Sequence, residues 1–143
     1  GGAVSWDPIW EQIFSAREWG RYPQEDVVRF VARHFYSVPD RSALRMLEVG
    51  CGPGSGASWF IAREGFGLCG IDGSATAIEK ARRRFETEGL SGEFVQGDIA
   101  VLPWMDESFD AVLDLGCLGC NSEVETVAIV REIHRVLKPG GLH

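Results

Sequence analysis

What this chain has little of narrows its function before any motif is read. It carries no long uninterrupted apolar run, so no stretch reads as a membrane span, and nothing in it reads as a signal peptide. Positive charge is scarce: 14 Lys and Arg stand against 21 Asp and Glu, a formal net charge of −7. That balance argues against unaided binding to nucleic acid or to an anionic membrane surface. The one tight basic run, Arg82-Arg83-Arg84, falls in a helix-like segment and reads as a solvated face. Cysteine is sparse, four in 143 residues, which is too thin for a disulfide framework and points to a reducing cytoplasm. Cys117-Leu118-Gly119-Cys120 is a CxxC without a second pair, because Cys51 and Cys69 lie far apart, so no metal site is expected. Of three histidines, His34 and His134 sit in helical stretches and His143 is the last residue, positions that suit surface or packing roles.

Glycine, by contrast, is plentiful, 18 in all, and it is concentrated where it matters. Met46-Leu47-Glu48-Val49-Gly50-Cys51-Gly52-Pro53-Gly54-Ser55-Gly56 runs a short apolar strand into alternating glycines, with a carboxylate just before them. Alternate glycines let the chain turn through positive φ and let a ligand touch bare backbone, which is what a nucleotide-binding strand-to-helix turn needs. The spacing leaves the nucleotide open. Gly52-x-Gly54-x-x-Ala57 also fits the dinucleotide fingerprint with alanine as its third small residue.

Along the chain, Gly1-Gly2 reads as a processing remnant. Asp7-Pro8 suits the start of a helix with Trp6, Ile9, Trp10, Ile13 and Phe14 at helical spacing, ending before Gly20. A second helix follows Pro23 with Val27, Val28, Phe30, Val31, His34 and Phe35 on one face, and stops before Pro39. From Ala43 the pattern alternates. Strands are expected at 44–49, 67–71, 93–95 and 109–115, with helices at 55–64, from 74 to near Gly89, and from a capping box at Ser122-Glu123-Val124-Glu125 through Leu137, where Lys138-Pro139-Gly140-Gly141 stops it. Such alternation implies right-handed βαβ units and an α/β, doubly wound parallel sheet with helices on both faces, behind two N-terminal helices. The division expected is a helical cap over 1–42 and a nucleotide-binding core over 43–143.

In an open parallel sheet, ligands sit beyond the carboxyl ends of the strands. Asp72 closes the second strand about twenty residues after the glycine loop, the distance at which an acid takes both ribose hydroxyls; helix N-capping is its other reading. Asp98 follows the third strand, where it either meets a ligand or bonds its own backbone in a turn. Asp114 stands at the end of the fourth.

Glu48, Pro53 and these downstream acids separate the two nucleotides, and with them the loop resembles motif I of the Rossmann-like S-adenosylmethionine-dependent methyltransferases. Pyrophosphate disfavours nearby carboxylates, whereas a sulfonium and an ammonium welcome them, so Glu48 tilts the choice to the methyl donor. Phe109 to Asp114 resembles the family's fourth-strand motif, and Leu137 to Gly141 the loop before its fifth strand, so the likeness runs over about residues 43 to 141. It implies a strand order 3-2-1-4, with the family's later strands absent. It implies S-adenosylmethionine as cofactor, held by Glu48, Gly50, Cys51, Gly52, Gly54, Asp72 and Gly73, with Asp98 on the adenine amino group beside the Ile99 amide, and with Asp114 and Leu115. Arg21 and Tyr22 suit a lid over the methionine end, or an ordinary helix-helix turn. Asp114 is the one candidate general base; it also reads as a strand cap or a partner for the cofactor ammonium.

A fourth strand left as a bare edge would need covering, by downstream chain, by a partner or by a second copy. The function implied is methyl transfer to a small-molecule acceptor. Its rivals are a non-catalytic S-adenosylmethionine-binding or assembly module and a nicotinamide-dependent oxidoreductase.

Overall fold

A computed structural model describes residues 24–114 and 122–143. The helix expected before Gly20, the Arg21-Tyr22 turn, Leu115, Cys117 and Cys120 lie outside the described residues. The first described element, α1 (Glu25–Phe35), opens on Glu25 and Asp26 and closes with Arg33 in its last turn, charges that complement the helix dipole at both ends. Val27, Val31 and Phe35 recur four apart and are its buried face. A short 3₁₀ turn (Arg41–Ala43), capped by Asp40, leads into β1 (Arg45–Val49). Then follow α2 (Ala57–Arg63), β2 (Gly67–Asp72), α3 (Ala75–Glu88), β3 (Glu93–Gln96), β4 (Phe109–Asp114), α4 (Glu123–Val136) and β5 (Leu137–Leu142).

Ser74 accepts from the Ala77 amide at the start of α3, Gly89 ends that helix in the left-handed region, and Ser122 accepts from the Glu125 amide at the start of α4.

The sheet is parallel, ordered β3-β2-β1-β4-β5. This corrects the expectation that order 3-2-1-4 ends at a bare fourth strand. Leu137 to Leu142 pairs with β4, so self-association is not needed to cover that edge; β3 and β5 are the outer strands among the described residues. The pairing is irregular: two steps along β4, from Phe109 to Ala111, answer to five along β5, from Leu137 to Leu142. Proline and two glycines are tolerated there because the strand is outermost and bulged.

Apolar side chains fill both faces. On one, α1, α2 and α3 pack Val31, Phe60, Ile61, Ile78 and Phe85 against Met46, Leu68 and Ala111. On the other, Ile129, Ile133 and Val136 of α4 meet Leu47, Val49, Ile71, Phe109 and Val112. The loop from β3 to β4 is held to α4 by Arg135, which donates to the carbonyls of Leu102 and Trp104 and pairs with Asp106 and Glu132. At the far end of α1, Tyr36 donates to Glu64 and Arg41 stacks on the Tyr36 ring while donating to the Glu64 carbonyl, tying this helix to α2. Among the described residues no helix is long and apolar enough to cross a membrane.

Candidate functional site

The strand order creates a crevice at the carboxyl end of β1. From β1 the chain moves outward to β2 and β3 and then returns to β4 on the other side, a reversal of the kind at which open α/β sheets bind ligands. Register brings the candidate acids there. Val49 sits between Ile71 and Asp114, so Asp114 flanks the last residue of β1 on one side, while Asp72 lies one residue past Ile71 on the other. Asp72 in turn pairs with Gln96, two residues before Asp98.

Between β1 and α2 the chain turns through Gly50, Gly52, Gly54 and Gly56, all at φ between 56° and 75°. The amides of Gly50 and Cys51 both donate to the Ile71 carbonyl, at 2.7 and 3.0 Å, and the Gly52 amide donates to Asp72 Oδ2 at 2.9 Å. A Cβ built on Gly52 would meet nothing within 4 Å, so the turn leaves room against its backbone. Asp72 Oδ1 accepts from the Ser74 amide at 2.9 Å, and it is Ser74, not Asp72, that caps α3. One carboxylate thus joins the glycine turn to the entry of α3. Gly73, just beyond, is exposed.

Asp98 is exposed, and its Oδ1 accepts from the Ala100 amide at 2.8 Å, the local turn bond that was its alternative reading. Ile99 is partly buried against the α4-side core. Asp114 is half-buried and borders a hollow of about 270 Å³ with Asp26, Val27, Phe30, Val112, Leu113 and His143. Among the described residues no group of three His, Cys, Asp or Glu could hold a metal ion.

Glu48 differs from the other acids in being buried, only 5 % exposed. Its carboxyl reaches α2, where Oε1 accepts from the Ser58 hydroxyl at 2.5 Å. Sequence reasoning missed Ser58. The signal available was a hydroxyl in the first turn of the helix that follows a strand carboxylate. Burial pushes the Glu48 carboxyl up to about 8; hydrogen bonding from Ser58 pulls it back, and the charge of Asp72 adds to the rise.

A carboxyl raised in the folded state keeps its proton there while the unfolded chain loses one near the ordinary glutamate value. Its contribution to stability is therefore complete below about pH 4.5 and is lost as pH climbs towards about 8. The denaturation midpoint should fall over that window by the equivalent of a few kcal/mol, and Glu48→Gln should flatten the slope. Equal slopes in isothermal denaturation of the two proteins would place the pH dependence elsewhere.

The geometry suits S-adenosylmethionine. A positively charged ligand finds acids at the ends of β2 and β4, and open backbone at Gly52 between them. Comparison with known proteins agrees in kind. Residues 46–141 match the family model described as a methyltransferase domain. A fatty-acid O-methyltransferase from Mycolicibacterium smegmatis is 41% identical over 104 residues, covering 71% of this chain and 36% of its own length. The sterol 24-C-methyltransferase erg6 of Aspergillus fumigatus is 33% identical over 124 residues, 82% of this chain and 32% of its own. The chain thus spans about a third of the length of these curated relatives. Among solved structures, a SAM-dependent methyltransferase from Methanosarcina mazei superposes with a TM-score of 0.67 at 30% identity, over 78% of this chain and 54% of that one. These likenesses leave the nicotinamide reading of the glycine loop without support. With motif I, the sheet order and the family match in agreement, the chain belongs to the Rossmann-like, S-adenosylmethionine-dependent methyltransferases.

Proposed function

We propose that this chain is the cofactor-binding part of a methyltransferase that acts on a small, largely apolar acceptor. The observation that carries the reading is the Asp72 carboxylate at the mouth of the switch point, bonded to Gly52 of a glycine turn that leaves its backbone bare. S-adenosylmethionine, when bound, supplies a methyl group on a positively charged sulfur. The protein's part is to hold and orient. Asp72 takes the ribose hydroxyls, Gly50, Cys51, Gly52, Gly54 and Gly73 line the nucleoside, and Asp98 with the Ile99 amide reads the adenine edge. Asp114 serves the methionine end, and Leu115, Arg21 and Tyr22, outside the described residues, are assigned there on the family resemblance alone. Glu48 supports the turn from behind.

Orientation of the acceptor and exclusion of water are the main demands, and a general base is required only if the acceptor must shed a proton. The hollow lined by Val27, Phe30, Val112 and Leu113, with Asp26, Asp114 and His143 as its polar residues, offers apolar surface for an acceptor and makes Asp114, at the end of β4 beside β1, the candidate base. That acceptor class accords with relatives named for fatty acids and sterols. Residues 1–42 serve as the cap and 43–143 as the core; Val27, Val31 and Phe35 of α1 share one apolar cluster with α2 and α3. Cys51 and Cys69 are buried, and so thin a cysteine content suits a reducing cytoplasm.

Titration by calorimetry with S-adenosylhomocysteine, with NAD as control, tests this directly. Saturable binding of the homocysteine nucleoside alone is the expected result, and binding of NAD in its place would overturn the reading. A second reading, a module that binds the cofactor without transferring the methyl, shares this outcome. It parts from the first at the acceptor: a fatty acid or sterol should yield a methylated product only if the first holds.

A further inference from the structure

Glu48 is a charged residue type placed almost out of solvent, on the central strand, two residues before the glycine turn begins. Its partner Ser58 lies just past the other end of that turn, in the first turn of α2. Gly56 holds the N-cap position of α2 and makes no side-chain cap bond. A helix start left so needs its first turn tied down from elsewhere, and here the Ser58 hydroxyl donates to Glu48. The turn is thus anchored at its start by the Ile71 carbonyl, at its middle by Asp72 and at its end by Glu48.

The geometry points to Glu48 as a positioning residue: reaching across from β1, it accepts from the Ser58 hydroxyl in the first turn of a helix that has no side-chain cap, and so holds residues 50–56 in the shape that receives the nucleotide. This goes beyond a charge that attracts a cationic ligand, because the carboxyl acts through Ser58 and stands behind the turn, not at its open side. It rests on the proposed cofactor site for its binding readout, but not for its structural one.

The two accounts separate in the choice of variant. Glu48→Gln keeps an acceptor oxygen and removes the ionisable carboxyl, whereas Glu48→Met keeps the length and removes the acceptor. Hydrogen exchange at the amides of 50–58, measured without ligand, reads the anchor itself. Calorimetry with S-adenosylhomocysteine reads its consequence. The Gln variant should restore wild-type exchange and bind within about twofold, while the Met variant should exchange faster across the turn and bind about five- to tenfold more weakly.

Loss of binding in the Gln variant as large as in the Met variant would overturn the proposal in favour of a direct contact between the carboxyl and the ligand. Wild-type exchange in the Met variant would overturn it outright. Should the Met variant not fold, Ser58→Ala carries the test: faster exchange at 50–58 supports the anchor, and unchanged exchange refutes it. If wild type itself fails to bind the nucleoside, the cofactor reading falls, and the exchange results still decide the anchor.

Discussion

Asp72→Ala should weaken S-adenosylhomocysteine binding by about two orders of magnitude while the chain stays folded. In the proposed site the carboxylate accepts from ribose hydroxyls, and a hydrogen bond to a charged group is worth about 1.5–3 kcal/mol, so losing a pair of them accounts for a factor of about a hundred. The same side chain accepts from the Gly52 amide at 2.9 Å through one oxygen and from the Ser74 amide at 2.9 Å through the other. Its removal frees the turn on one side and the entry to α3 on the other. Because Ser74 retains its own cap bond to Ala77, the helix keeps its start, and the stability cost should be about 1 kcal/mol. Asp72→Asn is not a gentle substitute. Its amide nitrogen must face one of two backbone N–H groups, and two donors cannot bond to each other. Its affinity should fall between those of wild type and alanine. Calorimetry on all three proteins checks the order, and unchanged affinity in Asp72→Ala would remove Asp72 from the site.

Much of this was legible from residue order, for identifiable reasons. Apolar runs bounded by turn residues located β1, β2 and β4 to within one or two residues, because strands covered on both faces have little choice of composition, and the shorter edge strand β3 was placed as closely by its Phe94-Val95 pair. Ser122 marked a helix start through a bond that depends only on a neighbour three residues away, whereas the cap of α3 is Ser74 and not Asp72, for which the sequence offered that role. What escaped depended on distant partners. Lys138-Pro139-Gly140-Gly141 has the composition of a chain stop, and only the edge of β4 alongside makes a bulged strand of it. Glu48 looked like a binding charge, since sequence carries no measure of burial; Ser58 becomes its partner only when α2 folds back over β1. Asp98 shows the reverse, a local bond to Ala100 that could be anticipated and is present. The acids near the crevice were found because parallel register sets strand ends side by side, so that Asp72 and Asp114 flank β1 although they are far apart in the chain.

Two glycines in one turn should respond in opposite ways to the same added methyl group. At Gly54, φ is +75° and a Cβ would lie 2.9 Å from the Ala81 Cβ and 3.1 Å from the Ala81 Cα, a contact with backbone that cannot swing aside. Gly54→Ala must therefore push α3 off the turn as well as strain the chain. Left-handed strain costs about 1–2 kcal/mol, and overpacking about 1–3 more, so a loss of about 3 kcal/mol or greater is expected by denaturant unfolding. At Gly52, φ is +56° but a Cβ would meet nothing within 4 Å, so Gly52→Ala should cost only the strain, about 1 kcal/mol. Its effect should fall on the ligand, because the methyl group projects into space the nucleoside needs. The Gly52 variant should thus fold with nearly wild-type cooperativity and bind S-adenosylhomocysteine poorly, whereas the Gly54 variant should lose stability first and binding only as a consequence. Ala81→Gly in the Gly54→Ala background separates the terms. It removes the nearer of the two contacts and should restore packing without relieving the backbone strain, at the cost of a glycine inside α3. Full stability in the single Gly54→Ala variant would mean that α3 does not press on the turn, and would leave strain alone as the reason for glycine there.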